Sequence, residues 1–149
     1  MIKIALDAYI PDSYVESTSN RMTIYKNISR IETKEERDKL IAEVEDVFGK
    51  LPKSAENLFD IAYIKALAKR VGITEVYCTE NEIKFIFDAK ENKIMSKQLS
   101  NALNKYSADC VLNFKEMPTI TFKYTGNDVY GNFNILKDFL IISNENAKK

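Results

Sequence analysis

The side chains with the most chemical capacity are two cysteines, Cys78 and Cys110, and three sets of neighbouring carboxylates: Glu35 with Glu36, Glu43 with Asp46, and Asp88 with Glu91. A thiolate is a nucleophile or redox centre, and paired carboxylates can divide acid and base work between them. Neither group has the surroundings that such chemistry needs. The sequence contains no His, which removes the usual proton shuttle near neutral pH, the triads that depend on it and every imidazole metal site. Two cysteines are too few for a disulfide framework or a four-thiolate zinc site, and both fall in or beside apolar, β-rich stretches where a thiol is a small hydrophobe. The pairs Glu35 with Glu36 and Asp88 with Glu91 lie in a chain that is 30% charged and read as solvated surface. Gly49, Gly72, Gly126 and Gly131 match neither GxGxxG nor GxxxxGK, so no phosphate cradle is expected and each reads as a helix end or turn. No catalytic residue, cofactor or metal is expected in this domain.

Charge narrows the partners. Twenty-two Lys and Arg balance twenty-two Asp and Glu, so no net field draws in a phosphate backbone or an anionic lipid surface. Only Arg21, Arg30, Arg37 and Arg70 carry guanidinium groups, the usual bidentate readers of phosphate and bases. The aromatics Phe85, Phe87, Phe114, Phe122 and Tyr124 lack a basic surround and read as core rather than as a base-stacking platform. The apolar run Phe139 to Ile142 falls far short of a membrane span, and Lys3 and Asp7 interrupt any signal-peptide core. The expectation is one cytoplasmic domain over residues 1–149, with no direct nucleic-acid or membrane contact.

Periodicity places the elements. Ile2, Ile4, Leu6, Ala8 and Ile10 alternate with Lys3, Ala5, Asp7 and Tyr9, which predicts a half-buried strand ended by Pro11-Asp12-Ser13. Ser17 to Asn20 offers N-caps for a helix through about Arg30, with Met22, Ile24, Tyr25 and Ile28 at helical spacing. Thr33-Lys34-Glu35-Glu36 is a capping box, followed by a stripe of Leu40, Ile41, Val44, Val47 and Phe48 that Gly49 ends. A third helix after Pro52 carries Leu58, Phe59, Ile61, Ile64, Leu67, Ala68 and Val71, with little polar surface. Ile73 to Thr79 and Glu82 to Phe87 predict a hairpin around Glu80-Asn81. A helix over Asn92 to Tyr106, strands over Val111 to Phe114 and Thr119 to Tyr124, and a helix over Asn132 to Ser143 complete the chain, with a fraying tail. The fold class is α+β: a single compact domain with helices packed on a small sheet, helix-rich in its first half and β-hairpin, helix and strand in its second.

The most unequal charge lies from Glu32 to Asp46, where seven acids (Glu32, Glu35, Glu36, Asp38, Glu43, Glu45, Asp46) face three bases (Lys34, Arg37, Lys39). Glu35 and Glu36 suit a helix N-terminus. Asp46 does not: it sits in the last turn, where the dipole disfavours a carboxylate, one turn from Glu43 on the same flank. A partner-facing acidic patch at Glu43 and Asp46 explains that placement.

The same residues carry a family resemblance. Ala8-Tyr9-Ile10-Pro11-Asp12-Ser13-Tyr14-Val15, then Arg21-Met22 with Ile24-Tyr25-Lys26, then Glu43-Val44-Glu45-Asp46-Val47-Phe48-Gly49 and Leu51-Pro52 resemble the C-terminal (TRCF) domain of bacterial transcription-repair coupling factor (Mfd). Ile61-Ala62, Lys65, Ala68 and Gly72-Ile73 continue the pattern, which is dense from Ile4 to Ile73 and rests beyond that on element order and length alone. The resemblance implies a regulatory cover on an ATP-driven DNA translocase that acts on stalled RNA polymerase and recruits the excision-repair protein UvrA. The ATP and Mg site, the DNA contacts and the polymerase contacts would then lie in upstream domains, so the chain would be an excised domain of a larger protein. The cover would close on the N-terminal UvrB-like module of the same protein and hide its UvrA-binding surface, with Glu43 and Asp46 as the contact acids. Where the family has Arg after the Asp, this chain has Val47. Two competing readings are a stand-alone carboxylate-based enzyme, which requires a deep pocket of convergent titratable groups, and a single-stranded nucleic-acid module, which requires Lys gathered beside aromatics on one sheet face.

Overall fold

The computed structural model describes residues 1–90, 97–122 and 128–147. They form two compact units, Leu6–Ala66 and Met1–Ala5 with Leu67–Lys149.

The unit of Leu6–Ala66 is helical. Its first helix, α1 (Thr18–Ile28), starts at Ser17, whose hydroxyl accepts from the Asn20 N–H. The second, α2 (Lys34–Phe48), starts at Thr33, whose hydroxyl accepts from the Glu36 N–H at 3.1 Å. The Glu36 carboxylate turns back to accept from the Glu32 N–H at 2.9 Å, so two helix-start amides are satisfied reciprocally, one residue earlier than in the usual box. At its other end Gly49 takes φ +89°, a conformation that costs a side-chain-bearing residue dearly. The third helix, α3 (Lys53–Arg70), belongs to this unit as far as Ala66. Ile10, Val15, Ile24, Ile28, Ile31, Val44, Leu51, Ala55 and Phe59 form the core, with Leu40, Ile41 and Phe48 packed against it.

The alternation from Ile2 to Ile10 survives as a burial pattern but not as a strand. Only Ile2–Ile4 (β1) joins a sheet. From Asp7 onward the backbone finds other partners: the Asp7 carbonyl accepts from Asn57 Nδ2, the Tyr9 N–H donates to the Ser54 carbonyl, and the Ile10 N–H donates to the Tyr25 hydroxyl. Helix ends and side chains replace the ladder, which period-two patterning cannot reveal.

The other unit is a five-stranded mixed sheet, ordered β1-β2-β3-β5-β4, with β2 (Ile73–Cys78), β3 (Ile83–Phe87), β4 (Cys110–Asn113) and β5 (Thr119–Phe122). β1 pairs with β2 in parallel and the other neighbours are antiparallel. Helices α4 (Lys97–Tyr106) and α5 (Val129–Ala147) accompany it. Val76, Cys78, Ile83, Phe85, Phe87, Ile120 and Phe122 are buried, as are Leu99 and Ala102 of α4 and Phe133, Leu136, Phe139 and Leu140 of α5. Phe139 stacks on Phe85 at 5.1 Å between centroids and meets Phe122 edge-on at 5.7 Å. Lys105 and the Tyr106 hydroxyl both donate to the Asp138 carboxylate, tying α4 to α5. Burial works against ionisation of that carboxylate, but the two hydrogen bonds and the Lys105 charge together outweigh it and hold it below the usual Asp range.

The α+β class, the hairpin and the order of elements agree with the sequence expectation. Three side chains do not. Val47, placed in the α2 stripe, is 70% exposed, and Met22 and Phe114 also face solvent. The tail departs as well: α5 continues to Ala147, with Asn144 buried and its amide donating to the Leu67 and Leu140 carbonyls. Residues 92–96 of the expected fourth helix, and Glu91, Tyr124 and Gly126, lie outside the described residues.

Candidate functional site

The acidic flank of α2 is held in place from behind. Near the start of the helix, the Arg37 guanidinium reaches Asp60 of α3 at 2.9 Å and lies over the Tyr63 ring at 5.1 Å. Both charged side chains are mostly buried, with 19% and 12% of their surface exposed. Such a pair fixes geometry more than it adds net stability, since desolvation offsets most of the attraction. Arg37 is thereby withdrawn from the surface.

At the other end of the helix the Glu45 carboxylate accepts from the Leu51 N–H at 2.9 Å, and the Gly49 N–H donates to the Glu45 carbonyl. The Tyr14 hydroxyl donates to the Gly49 carbonyl, and the Tyr14 and Phe48 rings lie 6.0 Å apart. Burial, and then the Glu45 charge, raise the Tyr14 pKa and keep this hydroxyl a donor. Glu45, like Glu36 at the start of the helix, is therefore structural. Nothing in the sequence marks Glu45 apart from its neighbours, because its role depends on where the chain turns after Gly49.

Glu43 and Asp46 face outward, as does Glu35 near the start of the helix. Glu43 and Asp46 are exposed, one turn apart, and among the described residues neither forms an ion pair. The structure brings them together as expected from the helical spacing. Val47 stands beside them, so the outward corner is two carboxylates around an aliphatic side chain. Glu43 also rims an open cavity of ≈ 330 Å³ between the end of α1 and α2, lined by Asn27, Arg30, Ile31, Glu36, Lys39 and Leu40. Asp46 is not part of that lining. Cations and anions alternate around the cavity, which is shallow and mixed rather than a closed pocket of convergent acids.

The thiols show no activation. Burial pushes the Cys78 thiol up to about 12, and burial with the Asp109 charge pushes Cys110 up to about 11. Both are protonated near neutral pH and are poor nucleophiles. Among the described residues no cluster of His, Cys, Asp and Glu is arranged to hold a metal ion, and no helix is long and apolar enough to cross a membrane.

Comparison with known proteins joins this corner to a family. The TRCF domain model matches residues 4–99, well over half of the chain. The chain belongs to the TRCF-domain family. It is 29% identical over 143 residues to a transcription-repair-coupling factor of Borreliella burgdorferi, covering 91% of this chain and 13% of that protein. The same protein of Bacillus subtilis is 29% identical over 106 residues, covering 70% of this chain and 9% of the relative. The chain thus spans about an eighth or less of the length of these relatives. A crystal structure of the C-terminal domain of transcription-repair coupling factor superposes with a TM-score of 0.86, covering 99% of this chain and 93% of that one at 22% identity. The TRCF fold accounts for both units, and the family match covers α1, α2 and the corner with Glu43 and Asp46.

Two substitutions test how the corner is built. Arg37→Ala removes the guanidinium from Asp60 and from the Tyr63 face, and is expected to lower unfolding stability by about 2 kcal/mol in urea titration. Asp46→Lys exchanges a carboxylate for a cation at the helix C-terminus, and calorimetry should show it more stable than the parent by about 0.3–1 kcal/mol.

Proposed function

We propose that this TRCF domain is a non-catalytic, regulatory protein-interaction domain of a transcription-repair coupling factor. Its acidic corner closes on the N-terminal UvrB-like module of the same protein and masks the surface that binds UvrA. The observation that carries this reading is the exposure of Glu43 and Asp46 on a helix pinned at both ends, one of them where the helix dipole opposes it. A carboxylate in the last turn with no cation beside it weakens its own helix. An external basic partner accounts for the placement, and since the chain spans about an eighth or less of its relatives, the proposed partner lies in the remainder of such a protein.

The energetics suit a releasable cover. Exposed ion pairs contribute roughly 0.2–1 kcal/mol each and are screened by salt. Two of them do not lock an interface, but they orient it and speed its closure. Within one polypeptide the partner is present at high effective concentration, so weak contacts suffice to close it and leave it able to open. The isolated domain then binds its module only weakly. In this chain the aliphatic Val47 replaces the family's Arg, so the corner contributes an apolar contact where a guanidinium would add a further charge. The parent protein would supply the ATP and Mg site, DNA translocation and the action on stalled RNA polymerase, in the cytoplasm.

The test is charge reversal. In the full-length parent, Glu43→Arg with Asp46→Arg should raise affinity for UvrA about tenfold or more and leave the thermal transition of this domain in place. Unchanged UvrA affinity in a folded double variant would count against the acidic cover.

A further inference from the structure

The cavity beside Glu43 holds charges that the fold leaves unused. It opens between the end of α1 and α2, measures ≈ 330 Å³, and takes its apolar lining from Ile31 and Leu40. Ile31 is buried in the core of its unit and Leu40 packs against that core. Arg30, Glu36, Lys39 and Glu43 line the cavity as well, and all four are exposed. Glu36 is committed, since its carboxylate accepts from the Glu32 N–H. Arg30, Lys39 and Glu43 are not. Among the described residues none of the three forms an ion pair, although opposite charges share the rim. Lys39 precedes Glu43 by four residues, the order in which a helical pair attracts more weakly.

The cavity and the acidic corner lie along one face of α2. A separation of seven residues returns nearly to the same side of a helix, two turns and about 10 Å further along its axis. Lys39 and Asp46 stand in that relation, as do Leu40 and Val47, with Glu43 between them. Toward the end of α2 this face presents two carboxylates around Val47, which is 70% exposed. Two turns earlier it presents Lys39 and, from the end of α1, Arg30 around Leu40. The free charges change sign along the face, and each half has an aliphatic side chain among them.

We infer that the partner of the acidic corner is not uniformly basic. It is a segment of the UvrB-like module that sets cations against Glu43 and Asp46, a carboxylate about 10 Å further along against Arg30 and Lys39, and an apolar side chain in the cavity between. This rests on the reading of the domain as a cover and adds the chemistry of the occupant. A segment with cations along its whole length is repelled at Arg30 and Lys39, and the matching segment laid in the reverse direction meets like charges at both ends. The two cations thereby fix direction and turn away other basic surfaces, which two acids alone cannot do. The seated side chain adds apolar burial to ion pairs that are individually weak.

The affinity of the full-length parent for UvrA reads the outcome, because in that reading an opened cover exposes the UvrA-binding surface. Arg30→Glu with Lys39→Glu should raise the affinity about fivefold and leave the thermal transition of this domain in place. Arg30→Lys with Lys39→Arg keeps both charges and should bind UvrA as the parent does. Lys39→Glu alone, at an exposed helical position, should give about a twofold rise and serves if the double variant does not fold. A lower UvrA affinity in the charge-reversed variants would overturn the inference, since it means that a uniformly basic partner has been drawn closer. An unchanged affinity in a folded Arg30→Glu, Lys39→Glu variant would overturn it too, and if Glu43→Arg with Asp46→Arg still raises UvrA binding, the cover itself stands. If neither charge reversal moves UvrA affinity, the cover fails and this inference with it.

Discussion

A helix can offer carboxylates to a partner only if something else holds it, and α2 is held at both ends by side chains other than those of Glu43 and Asp46. Arg37 ties its start to Asp60 and Tyr63 on α3. Glu45 and Tyr14 tie its end to the turn through Leu51 and Gly49. Between them Val44 enters the core. With those contacts in place, the direction of Glu43, Asp46 and Val47 is fixed before any partner arrives, and little ordering entropy remains to be lost on binding.

This arrangement explains why charge alone is a poor guide to the site. Of the acids from Glu32 to Asp46, Glu36 completes a cap and Glu45 braces a turn. Asp38 sits against Arg37. Carboxylates that look equivalent in sequence divide into those spent on the fold and those left for contact. The helix dipole alone does not separate them: acids near the N-terminus stabilise α2, but Glu45 and Asp46 share the last turn, and it is the turn after Gly49 that gives Glu45 the Leu51 N–H.

Much of the fold was legible. The caps at Ser17 and Thr33, the hairpin of β2 and β3, and the inward face of α5 follow from local spacing and from residues that satisfy free amides. Legibility failed where partners are distant in sequence. The first strand shrinks to Ile2–Ile4 because Asn57, Ser54 and Tyr25 capture the backbone that follows it. Val47 fits the apolar stripe by spacing and lies outside it because the core ends at Val44 and Phe48. Phe114 reads as a core strand residue and stands beyond the edge strand, exposed. At the site, Glu43 and Asp46 were visible from spacing and the dipole, whereas the bracing by Arg37 and Glu45 was not.

The central claim is that this domain works by contact through one corner of one helix. The most direct measurement is a titration of the isotope-labelled chain with the N-terminal UvrB-like module, followed amide by amide by nuclear magnetic resonance. The account predicts shifts concentrated from Glu43 to Gly49 that fade as salt is raised. Shifts gathered on the sheet, with the Glu43 to Gly49 amides unmoved, would contradict it.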